Sequence, residues 1–320
     1  MIYKLENNNI AVKVCSLGAT LNSFVDKKTG IDVVLGFDTE EDYLKNPGMY
    51  LGATVARCAN RIGKGTYKIN GIEYHAPISN GPNCNHGGKG ISFEEFSLKD
   101  KTESSLTFER LLKDGDDGFP GNLKLTVIYE IKDSDLLITY KGISDKDTIM
   151  NVTNHSYFNM NGGKGDAKDE YLTVYSDEVA LDDEDGMASA TTIKVDGTSF
   201  DFRKETLIAN NLAKGHSNLS RGGIDHNYLY EKLGDKKLCK LKGDKLSVTV
   251  SSDLPDVQIY TANWFSDVVS KNGIVLSQYK GVAMEAQYYP NAINYDKYLK
   301  PIIKANEEVT HFIKYSLKEA

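Results

Sequence analysis

Apolar and polar residues alternate along many short stretches of this chain, which is the pattern of half-buried β-strands. The longest run places apolar residues at every second position from Leu123 to Ile131, with mostly polar residues between them. It predicts a long strand after a polar loop, with a partner strand from Leu136 to Ile143. Shorter stretches of the same kind predict further strands at residues 10–16, 21–25, 171–175, 246–251, 257–261, 282–287 and 309–317.

Turn signals separate these stretches, and helix signals are few. Asn70-Gly71 stands between two β-forming flanks, Tyr67–Ile69 and Ile72–Tyr74, and predicts a hairpin with a type I′ turn because both turn positions need positive φ. Asp38 with Glu41 predicts a capped short helix that runs toward Asn46. The 19 tyrosines suit a pleated, half-buried surface.

The predicted strands extend over the whole chain, with no interdomain linker and no repeat of fixed period between them. We therefore expect residues 1–320 to form a single all-β domain, a large antiparallel sandwich or barrel. The alternation itself does not distinguish an open sandwich from a closed barrel.

Composition narrows the class of protein. Charged residues make up 26% and hydrophobic residues 40% of the 320, which is typical of a soluble globular protein. The net charge of −7 argues against a nucleic-acid partner. No apolar run is long enough for a signal core or a membrane span. The four cysteines are scattered and form no C-x-x-C, which indicates reduced thiols and a cytoplasmic location.

Five polar spots stand out against the strand background. They are Ala59-Asn60-Arg61-Ile62, Asn85-His86-Gly87-Gly88, Asn154-His155-Ser156, Gly223-Ile224-Asp225-His226 and Met284-Glu285-Ala286-Gln287. Each has an ordinary structural explanation: a packed core histidine, a surface arginine, a glycine turn or a paired carboxylate. Each could also serve chemistry, since histidine titrates near neutral pH and burial raises the pKa of a carboxylate toward that of a general base.

Other chemistries fit these spots less well. The chain contains no P-loop, no G-x-G-x-x-G after a strand, no H-E-x-x-H and no G-x-S-x-G. The histidines and acids match no standard metal-ligand spacing, so we expect no metal site. Histidines, carboxylates and an arginine among amides and aromatics instead suit a polar, uncharged, hydroxyl-rich ligand, and proton transfer is the chemistry that such a set performs without a cofactor.

At these same residues the chain resembles the aldose 1-epimerase (galactose mutarotase) family over nearly its full length. The matching segments occur in the family's order: residues 59–62, 85–88, 117–122, 153–159, 223–227, 257–261 and 285–294. The resemblance implies the family's large antiparallel β-sandwich and its activity, which interconverts the α and β anomers of free hexoses such as galactose and glucose without a cofactor.

The resemblance also assigns roles to residues. Glu285 would be the general base that takes the proton of the C1 hydroxyl, and His155 the general acid that protonates the ring oxygen. After ring opening and rotation about C1–C2, the ring would close with the two roles reversed. The remaining family positions fall on substrate-binding residues: Asn60, Arg61, His86, Asp225 and Gln258.

The sequence departs from the family pattern at four positions outside the catalytic pair. Ala56 stands where glycine is common, Phe96 where tryptophan is common, Asn291 where aspartate is usual, and Ala286 where proline or threonine is frequent. Ala286 could shift the neighbouring Glu285, and Asn291 could loosen a structural hydrogen bond.

Three alternatives stay open at this point. A hexose-6-phosphate 1-epimerase needs added Lys or Arg, for which Lys89 and Lys164 are available. A non-catalytic sugar-binding protein should lack the acid or the base, and this chain has both. A glycan hydrolase or lyase would use Asp225 and Glu285 as its two carboxylates, but this leaves His155 without a role.

Overall fold

The computed structural model describes residues 1–88 and 90–320, and strands make up most of its regular structure. Two antiparallel sheets contain the longest strands. The nine-stranded sheet runs in spatial order through Thr206–Leu207, Tyr171–Val174, Lys236–Lys242, Leu246–Ser252, Val309–Glu319, Asp135–Ser144, Leu123–Lys132, Ser105–Leu112 and Ser97–Lys101. The six-stranded sheet runs through Tyr157–Phe158, Val282–Gln287, Asp256–Tyr260, Asp225–Leu229, Glu178–Asp182 and Ala188–Lys194.

Smaller elements surround these two sheets. A three-stranded sheet contains Ile2–Glu6, Ile10–Cys15 and Thr20–Asp26. Two-stranded pairs join Thr54–Val55 to Thr153–Asn154, Arg61–Ile62 to Cys84–Asn85, Thr66–Ile69 to Ile72–His75, Thr148–Ile149 to Ile302–Ile303, and Val268–Val269 to Val275–Leu276. The α-helices are Glu40–Lys45 and Ile208–Leu212, and 3-10 turns occur at Pro47–Met49, Gly63–Gly65, Ile91–Phe93, Asp116–Gly118, Ala167–Asp169, Lys271–Gly273 and Ala292–Asn294.

The two large sheets share one hydrophobic core. Phe108 and Tyr129 enter it from the nine-stranded sheet, and Ile259 and Met284 enter it from the six-stranded sheet. Leu123–Lys132 buries every second side chain, as its alternation predicts. The strand order of the nine-stranded sheet is open at both ends, which makes the assembly a sandwich. The prediction of an all-β fold built as a large antiparallel β-sandwich is confirmed.

The local predictions hold with one correction. Asn70 and Gly71 both have positive φ, 51° and 79°, and Ile69 pairs with Ile72 across the predicted hairpin turn. The predicted helix exists as Glu40–Lys45, but its cap is Thr39, whose hydroxyl accepts from the Asp42 N–H at 3.2 Å. The prediction of Asp38 with Glu41 as the capping pair was therefore wrong by one residue, because Asp and Thr are both good N-caps and the pattern does not rank them.

Two further findings concern expectations from composition. All four cysteines are buried and free. Among residues 1–88 and 90–320, no helix combines the length and apolar character needed to cross a membrane.

Candidate active site

The six-stranded sheet turns one face to the core and the other to a cavity, because polar and apolar residues alternate along its three central strands. Val282, Met284 and Ala286 lie on the core face of Val282–Gln287, whereas Glu285 lies on the opposite face. Gln258 sits directly opposite Glu285 on the neighbouring strand and so shares its face. The local alternation thus places polar groups side by side on a buried surface.

That surface forms the floor of a cavity of about 510 Å³. All seven residues that the sequence and the resemblance single out line it: Asn60, Arg61, His86, His155, Asp225, Gln258 and Glu285. They come from the six-stranded sheet and from two of the two-stranded pairs with their adjoining loops, so only the folded chain brings them together. A cavity of this size accommodates one small ligand.

Glu285 and His155 are in contact at the floor of this cavity. The Nε2 atom of His155 lies 3.5 Å from Oε1 of Glu285, and the two side chains are only 6% and 3% exposed. Glu285 Oε2 and His155 Nδ1 are buried without a hydrogen-bond partner in the described part of the chain. Buried polar atoms without partners are rare in native proteins, and at this position they are available to a ligand.

Burial shifts the two pKa values in opposite directions. It raises the pKa of Glu285 well above its ordinary value, with a further push from Asp225 and an opposing pull from Arg61. It lowers the pKa of His155 to about 4. Both shifts disfavour the charged form, so the empty cavity holds the pair as a carboxylic acid beside a neutral imidazole, with one transferable proton between them.

Aromatic rings fix the two imidazoles of the site. The Tyr50 ring lies 4.6 Å from the His86 ring and 5.8 Å from the His155 ring, centroid to centroid. Tyr157 approaches His155 from another direction at 5.0 Å. These contacts restrict ring rotation, so both imidazoles present fixed nitrogen atoms to the cavity.

Asn60, Arg61 and His86 form a connected corner. The main-chain N–H of His86 donates to the Asn60 carbonyl at 3.0 Å. The main-chain N–H of Asn60 donates to the ring atom Nδ1 of His86 at 3.3 Å. Burial lowers the pKa of His86, so the ring is neutral and its proton sits on Nε2. His86 can therefore donate a hydrogen bond to a ligand oxygen. The Asn60 side chain accepts from the Arg61 N–H at 2.8 Å and so anchors the start of strand Arg61–Ile62.

Asp225 and Gln258 form the other side of the site. Gln258 donates from Nε2 to Asp225 Oδ1 at 2.8 Å and leaves its own Oε1 buried without a partner among the described residues. Burial raises the pKa of Asp225, while Arg61 and Gln258 oppose the rise. These acceptor atoms suit a ligand that carries hydroxyl donors.

The cavity also contains residues that the sequence did not single out. Tyr157 lies two positions after His155, and Tyr260 lies two positions after Gln258, so a period of two places each on the polar face. Tyr50, Asp182 and Trp264 lie in loops or at a strand end and carry no comparable signal. Asp182 in particular belongs to an acidic run that is typical of a solvated turn.

The structure locates the departures from the family pattern away from the catalytic pair. Ala286 faces the core, opposite to Glu285. Asn291 makes rather than loosens a hydrogen bond: its Oδ1 accepts from the Gly63 N–H at 3.0 Å, and its own N–H donates to the Arg61 carbonyl at 2.9 Å. Asn291 therefore helps to position Arg61.

Ala56 and Phe96, the other two departures, are both part of the main core. Of the two lysines proposed for a phosphate, Lys164 is exposed and does not line the cavity, and Lys89 lies outside the described residues. Within residues 1–88 and 90–320, no three His, Cys, Asp or Glu side chains are grouped as metal ligands. The expectation that the site works without a metal or cofactor stays a prediction.

Comparison with known proteins agrees with this geometry. The family model for aldose 1-epimerase matches residues 1–316. Galactose mutarotase of Bos taurus is 35% identical over 97% of this chain and 91% of its own length. The crystal structure of galactose 1-epimerase from Lactobacillus acidophilus superposes with a TM-score of 0.87 and 30% identity, covering 99% of this chain and 94% of that one.

A GalM/aldose epimerase homologue from C. elegans shares the fold with a TM-score of 0.92 over 100% of this chain and 99% of that one, at 24% identity. The match to the family model covers nearly the whole chain and includes every residue of the site. This chain belongs to the aldose 1-epimerase family.

Proposed function

We propose that this protein is an aldose 1-epimerase that interconverts the α and β anomers of free hexoses such as galactose and glucose. One observation carries the proposal: a buried carboxyl and a buried imidazole, 3.5 Å apart, lie at the floor of a cavity that is otherwise lined with hydroxyl-binding groups. Anomer exchange requires one proton to leave the C1 hydroxyl and one to reach the ring oxygen. An acid and a base in contact can supply both transfers.

Ring opening uses the charged arrangement of the pair. The Glu285 carboxylate accepts the C1 hydroxyl proton while protonated His155 gives its proton to the ring oxygen, and the C1–ring oxygen bond breaks to leave an aldehyde. The pair is then a carboxylic acid beside a neutral imidazole, the arrangement that burial favours in the empty cavity. Closure on the other face of C1 reverses both transfers, so the pair returns to its starting state and no cofactor is consumed.

The pair reaches the charged arrangement by moving one proton from Glu285 to His155. This transfer leaves the net charge of the buried site unchanged, which keeps its electrostatic cost well below that of ionising either group alone. Arg61 favours the carboxylate because its positive charge lowers the pKa of Glu285. We assign Arg61 and His86 to the ring-oxygen and C1 side, where they steady developing charge, and Asn60 to holding both in place.

Asp225 and Gln258 bind hydroxyls at the other edge of the sugar in this account. Gln258 connects this edge to the catalytic pair, since it donates to Asp225 and lies opposite Glu285 in the sheet. A carboxylate and an amide oxygen both accept from hydroxyl groups, which a free hexopyranose carries on C2, C3 and C4 as well as on C1. We also propose that residues 1–320 act as one domain, because one core cluster includes residues from Leu5 to Leu317. We further propose a cytoplasmic location, where free thiols such as those of the four buried cysteines stay reduced.

The competing functions have less support. A phosphorylated hexose would meet a cavity whose described lining contains one Arg and five carboxyl groups: Asp182, Glu184, Asp185, Asp225 and Glu285. A hydrolase would leave the contact between His155 and Glu285 without a purpose. A non-catalytic sugar-binding protein has no need for an acid and a base in contact.

Polarimetry tests the proposal. Freshly dissolved α-D-galactose and α-D-glucose should approach their usual final rotations faster with the protein than without it, and the ratio of the two rates gives the sugar preference. Rotation that proceeds at the spontaneous rate with both sugars, from a folded sample, would rule the proposal out and would favour a sugar-binding function.

A further inference from the structure

Asp182 lines the cavity but has no assigned role. It is the last residue of strand Glu178–Asp182, at a bulge where the register with Ala188–Lys194 shifts between Ala180 and Asp182. The same strand pairs with Asp225–Leu229, the strand that begins with Asp225. A bulge at a sheet edge redirects a side chain, and here it turns a carboxyl into the cavity.

A network of side chains holds the Asp182 backbone beside Asp225. The Asn218 side chain accepts from the Asp182 N–H at 2.8 Å and donates to the Asp182 carbonyl at 2.9 Å. Asn218 Oδ1 is in turn 3.0 Å from His226 Nε2, and His226 Nδ1 accepts from the Asp225 N–H at 3.0 Å. The main-chain segments that carry the two cavity carboxyls are therefore fixed relative to each other through buried His226 and the Asn218 amide.

The carboxyl of half-buried Asp182 lines the cavity and makes no hydrogen bond or ion pair with any described residue. A second residue of the cavity lining, Gln258, also has an oxygen atom without a partner among the described residues. Gln258 is 4% exposed, donates to Asp225, and keeps its Oε1 without a partner in the described residues. This end of the cavity is therefore rich in hydrogen-bond acceptors and suits a ligand with hydrogen-bond donors.

We propose that Asp182 is a substrate-binding residue that acts together with Asp225 and makes the site selective for the charge of its sugar. The site favours neutral and cationic hexoses, amino sugars among them, over hexuronates and hexose phosphates. The inference rests on the proposed epimerase function and adds the charge class of its substrate. Hydroxyl and ammonium groups are donors that both carboxyls can bind. A carboxylate or phosphate on the sugar would instead face Asp225, Glu184 and Asp185 as well, and like charges at close range are strongly unfavourable.

Loss of the Asp182 proton increases this selectivity. Burial, together with the charge of Asp225, raises the pKa of Asp182 to about 8, while Arg61 opposes the rise and Asp183 adds to it. Below that pH Asp182 is protonated in the empty cavity and can both donate to and accept from a sugar oxygen. An ammonium group favours release of this proton to solvent, whereas an anion opposes it. Discrimination against anionic sugars should therefore increase as pH rises through about 8.

The test compares kcat/KM for three sugars of one configuration: α-D-galactose, protonated 2-amino-2-deoxy-galactose and galacturonate. The wild type should turn over the amino sugar at least as well as galactose and the uronate at least about tenfold less well. At about pH 9, where Asp182 is ionised, Asp182→Asn should bring the uronate-to-galactose ratio about tenfold closer to one, and it should remove the dependence of that ratio on pH between 7 and 9. The substitution keeps the main-chain bonds to Asn218, so the site should stay folded.

Asp177→Asn is the matched control. Asp177 precedes the same strand, is 69% exposed and lies outside the cavity lining, so its substitution removes one negative charge without touching the site. Asp177→Asn should leave the ratios of kcat/KM among the three sugars unchanged. Binding can be followed separately through Trp264, the single tryptophan of the chain, which lines the cavity.

Three outcomes would overturn the proposal. Galactose turnover with an unchanged uronate ratio in Asp182→Asn would show that Asp182 does not select charge, while leaving the epimerase function intact. Equal turnover of uronate and galactose by the wild type would show that the site does not select charge at all. A folded wild type that accelerates no sugar would remove the epimerase function and this inference together.

Discussion

At the scale of single residues, burial determines the resting state of the Glu285–His155 pair. Among the described residues, the only ion-pair contact of either side chain is the one between them, and the low exposure of both makes ionisation costly. The pair shares one proton as a consequence, and the substrate supplies the hydrogen bonds that move it. A pair already held in contact needs little rearrangement when the sugar arrives, which is how preorganised acid–base groups gain efficiency.

The shared proton predicts the pH dependence of kcat/KM. The active form holds one proton, so activity falls at low pH when His155 takes a second proton and at high pH when Glu285 loses its own. Because burial lowers the pKa of His155 to about 4, the acid limb should lie near pH 4. Polarimetry across pH, corrected for the spontaneous reaction, measures this, and circular dichroism at each pH confirms that the protein is folded.

An acid limb near 6.5, the ordinary histidine pKa, would contradict this description of the pair. The Asp182→Asn variant is a useful comparison in the same series. A change in rate near pH 8 that this variant removes belongs to Asp182, since the pKa of that residue is raised to about 8.

Site residues were predictable from sequence to the extent that each stood out from its surroundings. Glu285 interrupts an apolar stretch, and His155 stands among small polar and aromatic residues without charge; Tyr157 and Tyr260 follow from a two-residue period. Asp182 was not predictable, because four consecutive acids, residues 182–185, are typical of a solvated turn. Only the bulge and the hydrogen bonds of Asn218 turn the first of them into the cavity.

At the scale of elements, the alternation of the central strands of the six-stranded sheet accounts for both core and site. In Val282–Gln287 one face supplies the core and the other supplies Glu285, so a register slip of one residue would bury the base in the core. The long strands were predictable for this reason. The two-residue strands such as Thr54–Val55 and Arg61–Ile62 were not, since two residues show no period.

Turns that connect these strands give a prediction about stability. Gly118 has φ of +75°, and a Cβ there would lie 1.8 Å from the His75 carbonyl oxygen. Gly115 has a similar φ of +83° but open space around it. Gly115→Ala should cost about 1–2 kcal/mol from backbone strain alone, and Gly118→Ala about 1–3 kcal/mol more because of the clash.

Urea unfolding of both variants measures this difference. Equal destabilisation of the two would show that the contact between the turn at Asp116–Gly118 and His75 is loose. The pair of variants is well matched, since both substitutions add one methyl group at a positive φ within the same loop.

At the scale of the whole molecule, the C-terminal strand is central to the fold. Val309–Glu319 lies between Leu246–Ser252 and Asp135–Ser144 in the nine-stranded sheet and pairs with both. Its side chains Ile313, Tyr315 and Leu317 belong to the main core. A strand in this position joins parts of the chain that are distant in sequence, as the proposed single domain requires.

Truncation tests this arrangement. Removal of residues 309–320 should abolish the cooperative thermal transition, because it leaves two strand edges unpaired and opens the core. Removal of Glu319 and Ala320 alone should leave the transition nearly unchanged, since both residues are exposed. A cooperative transition in the longer truncation would argue for a smaller domain that folds without the C-terminal strand.

The central claim is that Glu285 and His155 act as one proton-transfer unit on a hexose. Exchange NMR at equilibrium measures the α-to-β rate of galactose directly, for the wild type, Glu285→Gln, His155→Asn and the double variant. We predict that each single variant loses about 10²- to 10⁴-fold in enzymatic rate and that the double variant loses little more, because residues that act as a unit are not additive. A folded single variant that exchanges anomers at the wild-type rate would contradict the claim.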